Sequence, residues 1–337
     1  MSRTMTVAAK TASPTSAAPT TKEGGRSALG WVLHNVVWIW LIALVVIFGL
    51  FNQFFFTVNN MQNIMVQATV LGMLGLAVAL PLLVAEIDLS LPANLGFSSA
   101  IGAMAYSDWG LPWFPGMLVG VGVATFIGFF NGLCITKLKM VSLIQTLSMM
   151  IILQGALLAL TQGRTITNLS DGYVWIGQAT IGGWPIMPFI FVIALVGVGI
   201  LLSNTVFGRR VYAVGGNPVA SNSAGIRVDR VKILTYTLAG FLAGCAGFLL
   251  ASWQMAITSN QGSSYLLYAI AAPIIGGVSV FGGRGNVIGV LGGVLLLTII
   301  QVGLAIISVP SFYVGIIGGV MIFIAVAIDA IRVRYFS

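Results

Sequence analysis

Charge is what this sequence lacks most. Asp, Glu, Lys and Arg make up only 7% of its 337 residues, where soluble domains carry about 25%. A water-soluble fold is thereby excluded. Histidine is nearly absent as well: His34 is the only one, and one histidine cannot build a metal centre. The two cysteines, Cys134 and Cys245, sit inside apolar runs. They read as small packed side chains rather than a disulfide or a metal pair. No Gly-x-x-x-x-Gly-Lys-Ser/Thr motif occurs, and Gly-Gly-Arg-Gly-Asn-Val-Ile-Gly at 282–289 is followed by no lysine. No Ser/His/Asp or Cys/His set exists either. The expectation is a non-enzyme with no catalytic residue, metal or cofactor. If ATP drives it, another chain must bind the ATP.

What is present is apolar. The chain is 58% hydrophobic with 42 glycines and a mean hydropathy of +1.04. Its apolar runs are continuous, without the alternation of a lipid-facing barrel strand, so helices are the spanning element. The sequence predicts an all-α polytopic membrane protein. The expected spans are Trp31–Phe51, Ile64–Val84, Leu91–Ala105, Trp113–Ile135 and Val141–Leu160. They continue with Pro185–Phe207, Val231–Trp253, Tyr265–Phe281, Val287–Ser308 and Phe312–Ile331. That makes about ten transmembrane helices, with the bilayer as their first partner. Residues 1–28, rich in Ala, Thr, Ser and Pro, are expected to be a disordered tail before a transmembrane domain over 29–337.

The net charge of +8 does not indicate nucleic acid, because the basic residues fall in loops and tails. With a cytoplasmic N-terminus and ten alternating spans, one side holds Arg3, Lys10, Lys22, Arg26, Lys137 and Lys139. It also holds Arg209, Arg210, Arg227, Arg230, Lys232, Arg284, Arg332 and Arg334. Only Arg164 of the 15 basic residues lies opposite. Both termini are therefore expected in the cytoplasm. Spans two to five and seven to ten enter from opposite sides. Each block holds a short or glycine-broken passage, Leu-Ser-Leu-Pro-Ala-Asn in one and 276–289 in the other. That pattern predicts an inverted repeat around a transport pathway. Gly128-xxx-Gly132, Gly240-xxx-Gly244, Gly289-xxx-Gly293 and Gly315-xxx-Gly319 predict close helix approaches.

Few side chains could act on a solute. Glu86 and Asp88 lie between spans two and three. One reading is a cation or proton site, as in a secondary transporter. The other has Asp88 or Ser90 capping the next helix, with Pro92 in its first turn; Glu86 has no such role. Asp329 and Arg332 are expected to form an i, i+3 interfacial pair. Asn94, Asn131, Gln145 and Gln154, inside spans, are amides able both to donate and to accept, which suits a neutral hydroxylated solute. Interhelical hydrogen bonding is the plainer reading for any one of them.

Three stretches carry a resemblance. Ile-Asp-Leu-Ser at 87–90 is similar to a signature of the ribose-type ABC importer permeases. Phe207 to Gly247, beginning FGRRVYAVGGNPVASNSAGIRVDRVK, resembles that family's cytoplasmic loop and following helix. Gly276 to Leu296, GGVSVFGGRGNVIGVLGGVLL, resembles its second glycine-rich signature. The resemblance implies a bacterial inner-membrane permease for a sugar-like solute. It also implies three partners: a second permease, an ATPase with two nucleotide-binding halves, and a periplasmic binding protein.

In such importers a short cytoplasmic permease helix sits in a cleft of the ATPase. The matching segment runs from Gly216 to Ile226 within the 207–232 loop and includes Asn217, Pro218, Ala220, Ser221 and Gly225. Local chemistry agrees: Asn217 can cap, Pro218 suits the first helical position, and Gly225 can end a helix of about two turns. The family's pattern differs around 85–92, where Ala85-Glu86 and Leu91-Pro92 flank the signature, and at 140–147. A ribose specificity does not carry over.

Overall fold

The computed structural model describes residues 35–310, 313, 315–320, 323 and 324. His34, the tail over 1–28 and the Asp329–Arg332 pair lie outside them, as does part of the expected last span. Helices dominate because a backbone in lipid must satisfy its own hydrogen bonds. In order they are α1 (Val36–Phe51), α2 (Val58–Leu83), α3 (Leu91–Ser107), α4 (Trp113–Lys137), α5 (Ser142–Thr161) and α6 (Asp171–Gln178). A two-stranded hairpin, β1 (Thr180–Ile181) and β2 (Trp184–Pro185), follows α6. Then come α7 (Met187–Asn204), α8 (Val206–Gly216), α9 (Pro218–Ser223), α10 (Val228–Gln254), α11 (Leu266–Ile275) and α12 (Val287–Ile306). Residues 315–320 are again helical.

Six of these helices, α2, α4, α5, α7, α10 and α12, are long and apolar enough to cross a membrane. α2 is buried along most of its length and packs against α10, α12, α11 and α7. It is the central post of the bundle. α5 and α7 bury only a minor share of their surface and turn broad apolar faces outward.

The most extensive seam joins α4 to α10. A Cβ on Gly128 would sit 3.0 Å from the Cα of Gly240 and would collide with the Tyr236 carbonyl oxygen. One on Gly132 would stand 2.9 Å from the Cα of Ile233. Lipid tails are as apolar as leucine, so helices in a membrane gain by close packing rather than by escaping solvent. Gly289 and Gly293 play the same part where α12 meets α11, whereas a Cβ on Gly315 or Gly319 would meet nothing within 4 Å among the described residues.

Several expected boundaries change. α2 begins at Val58, before the expected Ile64, because Thr57 caps it through the Asn60 amide. The span expected over Tyr265–Phe281 holds only the ten-residue α11, about 15 Å long at helical rise. Gly276 and Gly277 follow it, and Gly277 takes φ +87. The apolar run continues past that point, but its backbone no longer does. The helix expected to reach Phe207 stops at Asn204. There Thr205 turns extended and starts α8 by accepting from the Gly208 amide. The expected 207–232 loop is therefore mostly helical. Cys134 and Cys245 are free thiols.

Candidate functional site

The seven residues between α2 and α3, Val84 to Ser90, gather most of the polar chemistry. The Glu86 amide donates back to the Pro81 carbonyl (3.0 Å), and Ala85 takes φ +60. Asp88 is buried. Its Oδ1 accepts from the Ser90 amide (2.8 Å) and from the Ser90 hydroxyl (2.6 Å). Ser90 Oγ accepts in turn from Asn131 Nδ2 at 2.9 Å, and Asn131 Oδ1 accepts from Gln145 Nε2 at 3.2 Å. A buried chain of four side chains thus links the connection to α4 and α5. Beside it, Thr146 Oγ1 accepts from the Leu89 amide at 3.2 Å.

The expected cap does not form in the expected way. Ser90 is the N-cap residue of α3, yet no side chain bonds the first turn. Asp88 folds back in an Asx-type turn onto Ser90, and the Ser90 hydroxyl is committed to Asp88 and Asn131. The second carboxylate oxygen, Oδ2, has no hydrogen-bond partner among the described residues. Burial pushes this carboxyl, in a connection outside the spanning helices, up to about 6, against the lowering effect of the two Ser90 bonds.

Asn94 is also buried. Its Nδ2 donates to the Ala124 carbonyl at 3.0 Å, while its Oδ1 has no partner among the described residues. Gln154 is half-buried on α5 and stands outside this chain of bonds. The structure therefore brings Asp88, Ser90, Asn131 and Gln145 together, with Asn94 held separately against α4.

Glu86 has a partner that sequence reasoning missed. It forms an ion pair with Lys232, in the second turn of α10, with both side chains largely buried. The sequence presents Lys232 only as one more loop base, and 146 residues separate the pair. No local signal joins them.

A second cluster surrounds α9. Asn217 Oδ1 accepts from the Ala220 amide at 2.9 Å, and Pro218 opens the helix. Gly225 takes φ +82 beyond its end, and the Ile226 amide returns to the Ser221 carbonyl at 3.0 Å. Gly216, Asn217, Pro218, Ala220 and Gly225 are exposed, Ile226 is half-buried, and Ser221 faces inward. Val219 is 76% exposed, so the helix presents an apolar tip.

Backbone contacts tie this projection to the bundle. A Cβ on Gly215 would collide with the Leu83 carbonyl oxygen, which already accepts from the Gly283 amide at 3.0 Å. A Cβ on Gly283 would stand 2.8 Å from the Gly216 nitrogen. Tyr212 Oη donates to the Gly285 carbonyl at 2.9 Å. The ends of α2 and α8 and the 279–285 turn therefore meet main chain to main chain. Lys232, just beyond α9, ties the other flank to the same Val84–Ser90 connection.

A family model described as a branched-chain amino acid transport system permease component matches residues 60–326. The chain belongs to this permease family. The match takes in α2 through α12, and with them both clusters. The permease is 38% identical over 291 residues to the ribose import permease protein of Bacillus subtilis, covering 86% of this chain and 90% of that one. It is 33% identical over 307 residues to the ribose import permease protein of Escherichia coli K12, covering 89% and 94%. It is 31% identical over 294 residues to the autoinducer 2 import system permease protein of an Enterobacter species, covering 86% and 84%. No solved structure matches it significantly. The permease is a multi-pass inner-membrane protein that moves a solute rather than reacting with it.

Proposed function

We propose that this chain is the membrane subunit of an ATP-driven importer for a small, neutral, sugar-like solute. The observation that carries the reading is its likeness, over nearly its whole length, to permeases named for ribose import. The solute arrives on a periplasmic binding protein. A second permease copy or paralogue completes the pathway, and an ATPase with tandem nucleotide-binding halves docks on α9. Asn217, Pro218, Ala220, Ser221, Gly225 and Ile226 shape that helix, and Gly216 joins it to α8.

Three observations support the docking role. α9 projects, it is capped at both ends, and its flanks are tied to one connection in the bundle. Movement of α9 would be passed through Gly215 and Lys232 to Val84–Ser90, and from there to Asp88, Ser90, Asn131 and Gln145. These side chains, with Glu86, Asn94 and Gln154, are the candidates to sense or line the pathway. We read ten crossings with both termini cytoplasmic and an inverted repeat of spans two to five and seven to ten. Within this reading, α1 and α3, the passage that holds α11 and the one that holds 315–320 account for the crossings beyond the six long helices. The cation-coupled alternative loses ground at Glu86, whose charge is already matched by Lys232.

The test is uptake in vesicles holding the permease, its ATPase and its binding protein. Gly225→Val forces a β-branched residue to φ +82 and should abolish ATP-driven uptake while the permease stays folded in the membrane. Unchanged uptake would remove α9 from the mechanism. Uptake that survives ATP depletion but stops on uncoupling would favour the cation-coupled alternative.

A further inference from the structure

A groove of about 460 Å³ lies between α8 and the beginning of α10. Phe207 and Arg210 line it from α8. Gly225 also lines it, as do Arg227, just before α10, and Arg230, Val231 and Leu234 on α10. Among the described residues, none of the three arginines has a carboxylate within ion-pair distance. Asp229, from the same turn, is occupied by Lys137 and Lys139. Three guanidinium groups therefore share one concavity without a paired counter-charge among the described residues.

The order of side chains along both walls narrows what fills it. On α10 and its N-cap, positions 227, 230, 231 and 234 fall on one helical face. The two arginines come first, and Val231 and the half-exposed Leu234 follow in the direction of the span. On α8, Phe207 stands next to the end of the spanning helix α7, and Arg210 lies one turn further away. Each wall thus runs from cationic to apolar as it approaches the membrane. That gradient matches an amphiphile. An acidic protein surface would meet the arginines but leave the apolar end unmatched.

We propose that this groove binds an anionic phospholipid. Arg210, Arg227 and Arg230 hold its phosphate, and Phe207, Val231 and Leu234 receive the upper part of its acyl chains. The guanidinium fork suits phosphate oxygens, being planar, bidentate and permanently charged. Basic pockets between helices at a membrane surface are where such headgroups settle. The site stands on its own geometry, whatever docks on α9.

The test is thermal unfolding of the full-length chain in neutral detergent with added phosphatidylglycerol, phosphatidylcholine or inorganic phosphate. Phosphatidylglycerol should raise the midpoint in a saturable way, and the other two should not. R210Q/R227Q/R230Q should weaken the apparent affinity on the order of 100-fold, at roughly fivefold per arginine. Its midpoint in phosphatidylcholine should be unchanged. R209Q, at an arginine outside the groove, should behave as the natural chain. If the triple variant does not fold, R230Q alone, expected to weaken binding roughly fivefold, carries the test. An equal shift with inorganic phosphate would make the groove a free-anion site and overturn the proposal, as would an undiminished phosphatidylglycerol shift in the variant. If the triple variant keeps the lipid shift but, co-expressed with the ATPase, no longer co-purifies with it, the groove belongs to that partner instead and the proposal falls.

Discussion

Lys232 and Glu86 form the one ion pair, among the described residues, that is shielded on both sides; the Asp229 pairs are open to solvent. Exposed pairs contribute little, whereas losing one partner of a shielded pair strands the other charge. Glu86→Gln should cost roughly 2 kcal/mol of stability, and Lys232→Met a similar amount. The double variant should recover part of the loss. Unfolding midpoints for the three variants would close that cycle. Asn131 is the middle link of its chain, accepting from Gln145 and donating to Ser90. Asn131→Ala strips the Gln145 amide of its acceptor and takes one donor from the Ser90 hydroxyl, which keeps Asp88, a cost of about 1–3 kcal/mol. Uptake should fall even at temperatures where the protein remains folded, a comparison that transport and unfolding assays on one sample would make.

Among the elements, α9 is short enough that its cap decides whether it exists. Six residues cannot sustain a helix in water without outside help. Asn217→Ala removes the bond to the Ala220 amide and costs about 1 kcal/mol locally. Because α9 carries little of the core, the global unfolding midpoint should hardly move while ATP-driven uptake drops severalfold. A parallel fall in both would mean that α9 is structural. The seam between α4 and α10 is the opposite case. Gly240→Leu forces apart helices packed so closely that a Cβ there would collide with the Ala124 carbonyl oxygen, so it should abolish accumulation of folded protein. The yield of monodisperse permease after detergent extraction measures that.

For the whole molecule, the reading places α9 on the cytoplasmic face under the ATPase. With Cys134 and Cys245 replaced by serine, Val219→Cys should react with a membrane-impermeant thiol reagent in inside-out vesicles and not in right-side-out ones. The assembled complex should protect it. Reaction from the opposite face would reverse the topology.

Much of this plan was legible in the sequence because it is local. Apolar runs of membrane length announce their helices, and Asn217, Pro218 and Gly225 announce α9 through the backbone states those residues favour. The shortness of α11 was hidden, since Tyr265–Phe281 stays apolar beyond the point where Gly276 and Gly277 break the helix. α6 and its hairpin were hidden too, because short, partly polar segments give no periodic signal. The Glu86–Lys232 pair and the meeting of Leu83, Gly215 and Gly283 were beyond reach, since each joins residues far apart in the chain.

That last meeting has a consequence for mutational tolerance. A joint made from carbonyls, amides and absent side chains does not distinguish alanine from tryptophan at Gly215, because the first added carbon already occupies the space of the Leu83 carbonyl. A saturation scan should therefore record Gly215 as a flat wall, with every substitution failing alike. The exposed positions 218–220 should instead grade their losses by the shape and charge of the new residue.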